Sequence, residues 1–186
     1  MAPLPPLPEP LPNEVRNEMN RMAAVRSHAE GTENLGAVYQ TLFHNPALAR
    51  SVGSLGEAIR FRGDLPDDIR ELIILRYAVK AGFGYEWSHH QRAARQAGLP
   101  QTTIRQLVAG ELPPGLREEQ RAAVIAVDAV VAKQSIPSDA QAVLIDHVGQ
   151  AGIVELVVAC GLYAIMGYTV TAFEVPLDPG FPKPPF

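Results

Sequence analysis

The residues of this chain best suited to chemistry stand together in Tyr85-Glu86-Trp87-Ser88-His89-His90, where one carboxylate precedes two imidazoles by three and four positions. On a helix both spacings fall on one face, so Glu86 can reach either His89 or His90. Histidine titrates near neutrality and a buried glutamate can be tuned toward it, so such a pair is equipped to move a proton to or from a bound substrate. The same spacing also suits a solvated ion pair. Glu86-Trp87-Ser88-His89 has the Glu-x-x-His spacing of di-iron bundles, but those need the motif from two helices and it occurs once here. A single-metal site would take Glu86, His89 and a third ligand, and the expectation is that no metal is bound.

Those residues need a helix and a neighbour to hold it. Glu71-Leu72-Ile73-Ile74-Leu75-Arg76-Tyr77-Ala78-Val79 reads as an apolar helix that opens at Leu65-Pro66-Asp67-Asp68, with acidic residues at the positive end of its dipole, and stops at Gly82. The motif helix then spans about 85–97, closed by Gly98-Leu99-Pro100. Further helices are expected over 13–29, 34–43, 46–61, 102–109 and 117–134. Ser138-Asp139-Ala140-Gln141 has a capping-box pattern that opens a helix ending near Gly149, and a last helix, 152–173, is expected to be the most buried. No sustained alternating pattern marks a strand, so the fold class is all-α. Eleven of the 17 prolines fall at the ends, six by Pro12 and five from Pro176 onward. The organisation expected is therefore a proline-rich arm over 1–12, one helical domain over 13–175 and a proline-rich tail over 176–186, each arm mobile or laid across a neighbouring subunit.

With 186 residues, 47% of them hydrophobic, the chain can bury one sizeable core. A net charge of -4 without a basic run argues against nucleic acid and against an anionic membrane surface. The first ten residues lack a basic region and a continuous apolar one, so they do not read as a signal peptide. Residues 156–173 are free of charge, but Glu155 and Glu174 bracket them and Gly161, Gly167, Tyr163, Tyr168 and Thr169 suit packing inside a protein better than lipid. The single cysteine, Cys160, can form no intrachain disulfide and sits among apolar neighbours, which predicts a buried, inert thiol and a cytoplasmic location. His28, His44 and His147 have no neighbours that lift them above surface background. Phosphate-binding glycine loops and Gly-x-Ser-x-Gly are absent.

Three stretches carry a family resemblance: Leu65-Pro66-Asp67-Asp68-Ile69-Arg70-Glu71-Leu72-Ile73-Ile74-Leu75-Arg76, the motif Tyr85-Glu86-Trp87-Ser88-His89-His90, and Ala94-Arg95-Gln96-Ala97-Gly98-Leu99. The chain resembles the carboxymuconolactone decarboxylase family, whose superfamily includes the alkylhydroperoxidase D-like proteins. The likeness extends more weakly through Glu155-Leu156-Val157-Val158 and Tyr163 to Thr171-Ala172-Phe173, and the resemblance implies that helical fold, assembled as a trimer or hexamer. In the peroxidase branch, Cys-x-x-Cys-x-x-x-His is preceded by a Glu one helix earlier; laid on this chain, the cysteines fall on Phe83 and Glu86, the histidine on His90 and the glutamate on Glu71. Both thiols are missing, which leaves thiol peroxidase chemistry without its nucleophile and resolving partner. The decarboxylase branch has Glu-x-x-x-His here, preserved as Glu86 and His90.

What the resemblance implies is cofactor-independent acid/base chemistry, decarboxylation or isomerisation, on a small carboxylated lactone or related acid. His90 would donate the proton or stabilise an enolate, and Glu86 would orient it. Glu71 would join them or pair with Arg70, Arg76 or Arg92. Tyr85, Trp87, His89, Arg76 and Tyr163 are the candidate substrate contacts, Arg76 as a bidentate carboxylate clamp. Each also has a plain structural use: packing for the aromatic residues, a surface position for His89, an inter-helix ion pair for Arg76. The chain departs from short decarboxylases in its proline arms, in added helices between about Gly110 and Gly149, and in lacking a Trp-rich segment before the motif. The rival functions are an alkylhydroperoxidase-like antioxidant and an oligomeric binding module without chemistry.

Overall fold

The structure, a computed structural model, describes residues 4–30 and 35–186. Eight helices follow one another among the described residues: α1 (Asn13–Glu30), α2 (Ala37–Leu42), α3 (Pro46–Phe61), α4 (Asp67–Ala81), α5 (Gly84–Gln96), α6 (Gln101–Val108), α7 (Glu118–Val131) and α8 (Ser138–Ala172). No strand accompanies them there, as the sequence patterns predict. The expected start of the second helix lies outside the described residues. The two helices expected after Ser138 are joined end to end in α8, with the break kept at Gly149, whose φ of 70° and ψ of 177° suit glycine alone. Helix α7 stops earlier than expected because Lys133 turns left-handed at φ 57° and Gln134 donates its N–H back to the Ala129 carbonyl at 2.9 Å.

The chain divides into two compact units: Met1–Arg62 with Tyr168–Gly180, and Gly63–Gly167 with Phe181–Phe186. In the first, α1 crosses α3 so closely that a Cβ on Gly53 would stand 2.6 Å from Met22 Cε. Arg21 ties α1 to α3 through Glu57 at 3.0 Å, and Asp178 accepts the Ala37 N–H at the start of α2. The proline-rich arm belongs to this unit. Leu4, Leu7 and Leu11 line a cavity of about 410 Å³ together with Met19, His44 and Phe173.

The second unit is built round α4. Its Ile69, Leu72, Ile73, Ile74 and Leu75 are all at most 1% exposed, because a helix apolar on every side is stable only when neighbours cover every side. Helices α5, α6 and α7 all pack against it. α4, and not the last helix, is therefore the most buried element. α8 turns Leu156, Ala159, Cys160, Leu162 and Tyr163 inward, but leaves Val154 (61%), Val157 (43%), Val158 (38%) and Ile165 (41%) exposed, because its residues are apolar on both faces and the fold covers one.

The ends of α4 are fixed by polar groups. Glu155 of α8 accepts the Asp64 N–H at 2.6 Å, and its carboxylate occupies the space a side chain at Gly63 would need. Asp68 accepts from Arg117 at 2.6 Å and from Gln120 at 2.8 Å, binding α4 to the start of α7. At the other end Gly82, at φ 73° and ψ 26°, lets Phe83 donate to the Ala78 carbonyl at 2.8 Å, and this tight turn brings α5 back along α4.

Candidate active site

That hairpin brings together residues 19 positions apart in sequence. His90 Nδ1 lies 2.8 Å from Glu71 Oε2, with both side chains buried. An ionised carboxylate can only accept, so opposite an ionised Glu71 it is Nδ1 that carries the proton and donates it, and Nε2 is the ring nitrogen that can exchange a proton with a substrate. Edge-on to the imidazole stands the Tyr163 ring of α8, at 5.0 Å between centroids and 89° between planes. Glu86 lies one turn before His90 on α5, 4% exposed and within the first turn, where the helix dipole favours its charge. Behind Glu71, the Arg70 Nε stands 3.6 Å from Oε1, while its Nη1 reaches Asp67 at 3.0 Å. Of the arginines considered as partners for Glu71, Arg70 takes that place.

Arg76 is placed differently. Its Nε and Nη2 grip both oxygens of Asp128 at 2.7 and 2.6 Å, and its Nη1 and Nη2 cap the carbonyls of Glu111 and Gly110 at 3.0 and 2.9 Å. With four of its five N–H groups so engaged and 2% exposure, the guanidinium bolts α4 to α7 and to the loop before it. This is the inter-helix ion pair, and the fork has little left to offer a substrate carboxylate.

The remaining candidates lie on other faces of α5. His89 donates Nδ1–H to the Tyr85 carbonyl at 2.8 Å, and its ring is stacked between Tyr85, at 4.0 Å, and Phe181 of the tail, at 3.9 Å. Trp87 belongs to the core with Leu72, Leu75, Ile104, Leu107 and Val124, and meets Phe186 edge-on at 5.8 Å. Its buried Nε1–H makes no hydrogen bond. Pro184 completes the contact, sitting 2.6 Å from where a Cβ on Gly84 would be. The end of the proline-rich tail, Phe181–Phe186, expected to be mobile or on a neighbouring subunit, thus lies along the helix that carries the motif. Phe181 and Phe186, two aromatic residues among prolines, were the available sign that this segment packs. Cys160 is 2% exposed, and burial pushes its thiol up to about 12. Among the described residues, no three of His, Cys, Asp and Glu are grouped so as to hold a metal.

Helices in this order make an alkylhydroperoxidase D-like all-α fold. Residues 46–131 of the chain match the carboxymuconolactone decarboxylase family. Solved structures agree on the fold. The alkylhydroperoxidase AhpD core of an uncharacterized peroxidase-related protein from Ralstonia eutropha JMP134 superposes with a TM-score of 0.77 at 17% identity, over 96% of this chain and 94% of that one. A point variant of the debrominase Bmp8, in complex with 2,3,4-tribromopyrrole, gives 0.73 at 16%, over 95% and 94%. A protein of unknown function from Agrobacterium tumefaciens, described as a putative antioxidant defence protein AhpD, gives 0.64 at 26%, over 73% and 93%. No curated protein matches the sequence.

Proposed function

We propose that this protein is a cofactor-independent acid/base enzyme that decarboxylates a small carboxylated lactone or related acid. The observation that carries the reading is the buried Glu71–His90 hydrogen bond of 2.8 Å, which fixes the imidazole tautomer and makes Nε2 the nitrogen that gains and gives up a proton. Glu86, a second buried carboxylate one turn away, stands where it can set the charge of the ring or carry the proton onward. In the reaction, the bond to the carboxylate carbon breaks and carbon dioxide leaves. The electron pair passes through the alkene into the lactone carbonyl as a dienolate. Protonated His90 then gives its Nε2 proton to carbon and is recharged from solvent. The same proton transfers without loss of carbon dioxide would give an isomerisation.

An alkylhydroperoxidase-like role fits the family equally well as a label, but its chemistry needs thiols that this site lacks. Phe83 and Glu86 occupy the two cysteine positions, and the one thiol present, Cys160, is buried and held protonated. The chain is further proposed to work as a cytoplasmic homo-oligomer, trimer or hexamer, without nucleic acid or membrane partners. The uncovered apolar face Val154-Val157-Val158-Ile165 of α8 supports burial against further copies.

The test is a panel of carboxylated lactones and unsaturated acids, read by released carbon dioxide and by loss of substrate absorbance, with His90→Gln as control. Turnover abolished in that variant supports the reading. Peroxide consumption with a dithiol reductant, or no turnover across the panel, counts against it.

A further inference from the structure

The Glu71–His90 pair has a cation behind it that the proposed reaction does not use. Arg70 is only 12% exposed at its side chain, and its Nε–H is buried without a hydrogen bond, 3.6 Å from Glu71 Oε1. That distance is too long for a hydrogen bond and short for a charge contact. Asp67, three residues back and 75% exposed, holds the outer Nη1 at 3.0 Å and so fixes the head of the side chain from the solvent side. The inner edge of the guanidinium is thereby held toward the buried carboxylate.

We propose that Arg70 is a positioning residue: its charge keeps Glu71 ionised and His90 neutral, with Nδ1 protonated and Nε2 unprotonated, until a proton is delivered to the ring. The functional meaning of this role rests on the acid/base reading above; the electrostatic claim does not. The charged and titratable groups described round the ring include Glu71 with Arg70 behind it on α4, Tyr163 on α8, and Glu86 one turn away on α5. Two of these, Glu71 and Glu86, are carboxyl groups that, once ionised, pull a proton onto the imidazole. Arg70 is the cation among them. Without it, two buried carboxylates face one imidazole, and proton uptake by the group becomes easier. A unit charge removed at this range moves a buried titration by about one pH unit or more.

The experiment is a histidine NMR titration of the full chain without ligand, the His90 signal assigned by its loss in His90→Gln. Arg70→Met is expected to move the His90 midpoint upward by about one pH unit, and Arg70→Lys, which keeps the charge, to return most of that shift. A purely structural arginine would move stability and leave the midpoint alone. A folded Arg70→Met chain with an unmoved midpoint overturns the proposal. Should that variant not fold, the wild-type chain decides: with a carboxyl-carbon label on glutamate, the ring must take up its proton before the Glu71 carboxyl does, and the reverse order overturns the proposal. If the midpoint moves yet His90→Gln turns over normally, positioning stands and the catalytic reading fails. If His90→Gln is inactive and the midpoint stays, the opposite holds.

Discussion

The ring of Phe83 fills the space that a side chain at Gly167 would need, its Cδ2, Cγ and Cε2 all overlapping the Cβ position. The helix that supplies Tyr163 and the turn that launches α5 are thus fitted together at one hydrogen atom. Gly167→Ala, which on an open helix would stabilise, should here push Phe83 and the first turn of α5 aside. The expected cost is about 1–3 kcal/mol, read by chemical denaturation, with lower turnover because Glu86 and His90 ride on that helix. An unchanged midpoint would mean that Phe83 has room to move.

His90 and His89 should separate cleanly. His90→Gln removes the ring bonded to Glu71 and is expected to lower turnover by about a hundredfold or more. His89→Gln removes a ring stacked between Tyr85 and Phe181 and should leave turnover within a few-fold. Both variants are assayed at saturating substrate after their folding has been matched. Failure of His89→Gln with activity in His90→Gln would reverse the assignment.

Arg76 is expected to matter for stability and not for substrate affinity. Arg76→Met strands Asp128 and two loop carbonyls, so it should cost about 3 kcal/mol or more while leaving KM near wild type in the molecules that remain folded. A large rise in KM at unchanged stability would restore the carboxylate-clamp reading.

Asp68 sets an acid limit. Burial pushes its carboxyl up, but the hydrogen bonds from Arg117 and Gln120 outweigh this and hold it below its ordinary value. Its contribution is therefore complete above the unfolded value near pH 4 and is lost as pH falls through the lower folded one. Asp68→Asn should be less stable than wild type by on the order of 1 kcal/mol at pH 7. The gap should close below about pH 4. A gap that persists at about pH 2.5, well below both values, would show that the side chain acts through packing alone.

Much of this arrangement is legible in the residues. Gly82, Gly98 and Pro100 stop and start helices for reasons local to the backbone, and the central helices form within a residue or two of their expected bounds. Glu86 and His90 share a face by spacing alone. The bond from Glu71 to His90 is different in kind. It depends on how the α4–α5 turn closes, so spacing could not find it and only the family resemblance put Glu71 forward. The outward face of α8 escaped because a helix apolar on both sides carries no mark of which side a single chain leaves open. The tail escaped because prolines have no periodicity to read. Arg76 and Arg70 have the same residue type and stand on the same helix, and only the partners supplied by α7 and by Glu71 tell a bolt from a charge at the site.

The contact between Phe186 and Trp87 has an optical consequence. The chain contains one tryptophan, so all of its indole emission comes from the helix that carries His90, with a tail aromatic against the ring. Lifting the tail would wet that indole and red-shift its fluorescence. The state of the tail over α5 can then be followed in real time, in solution, with no label added.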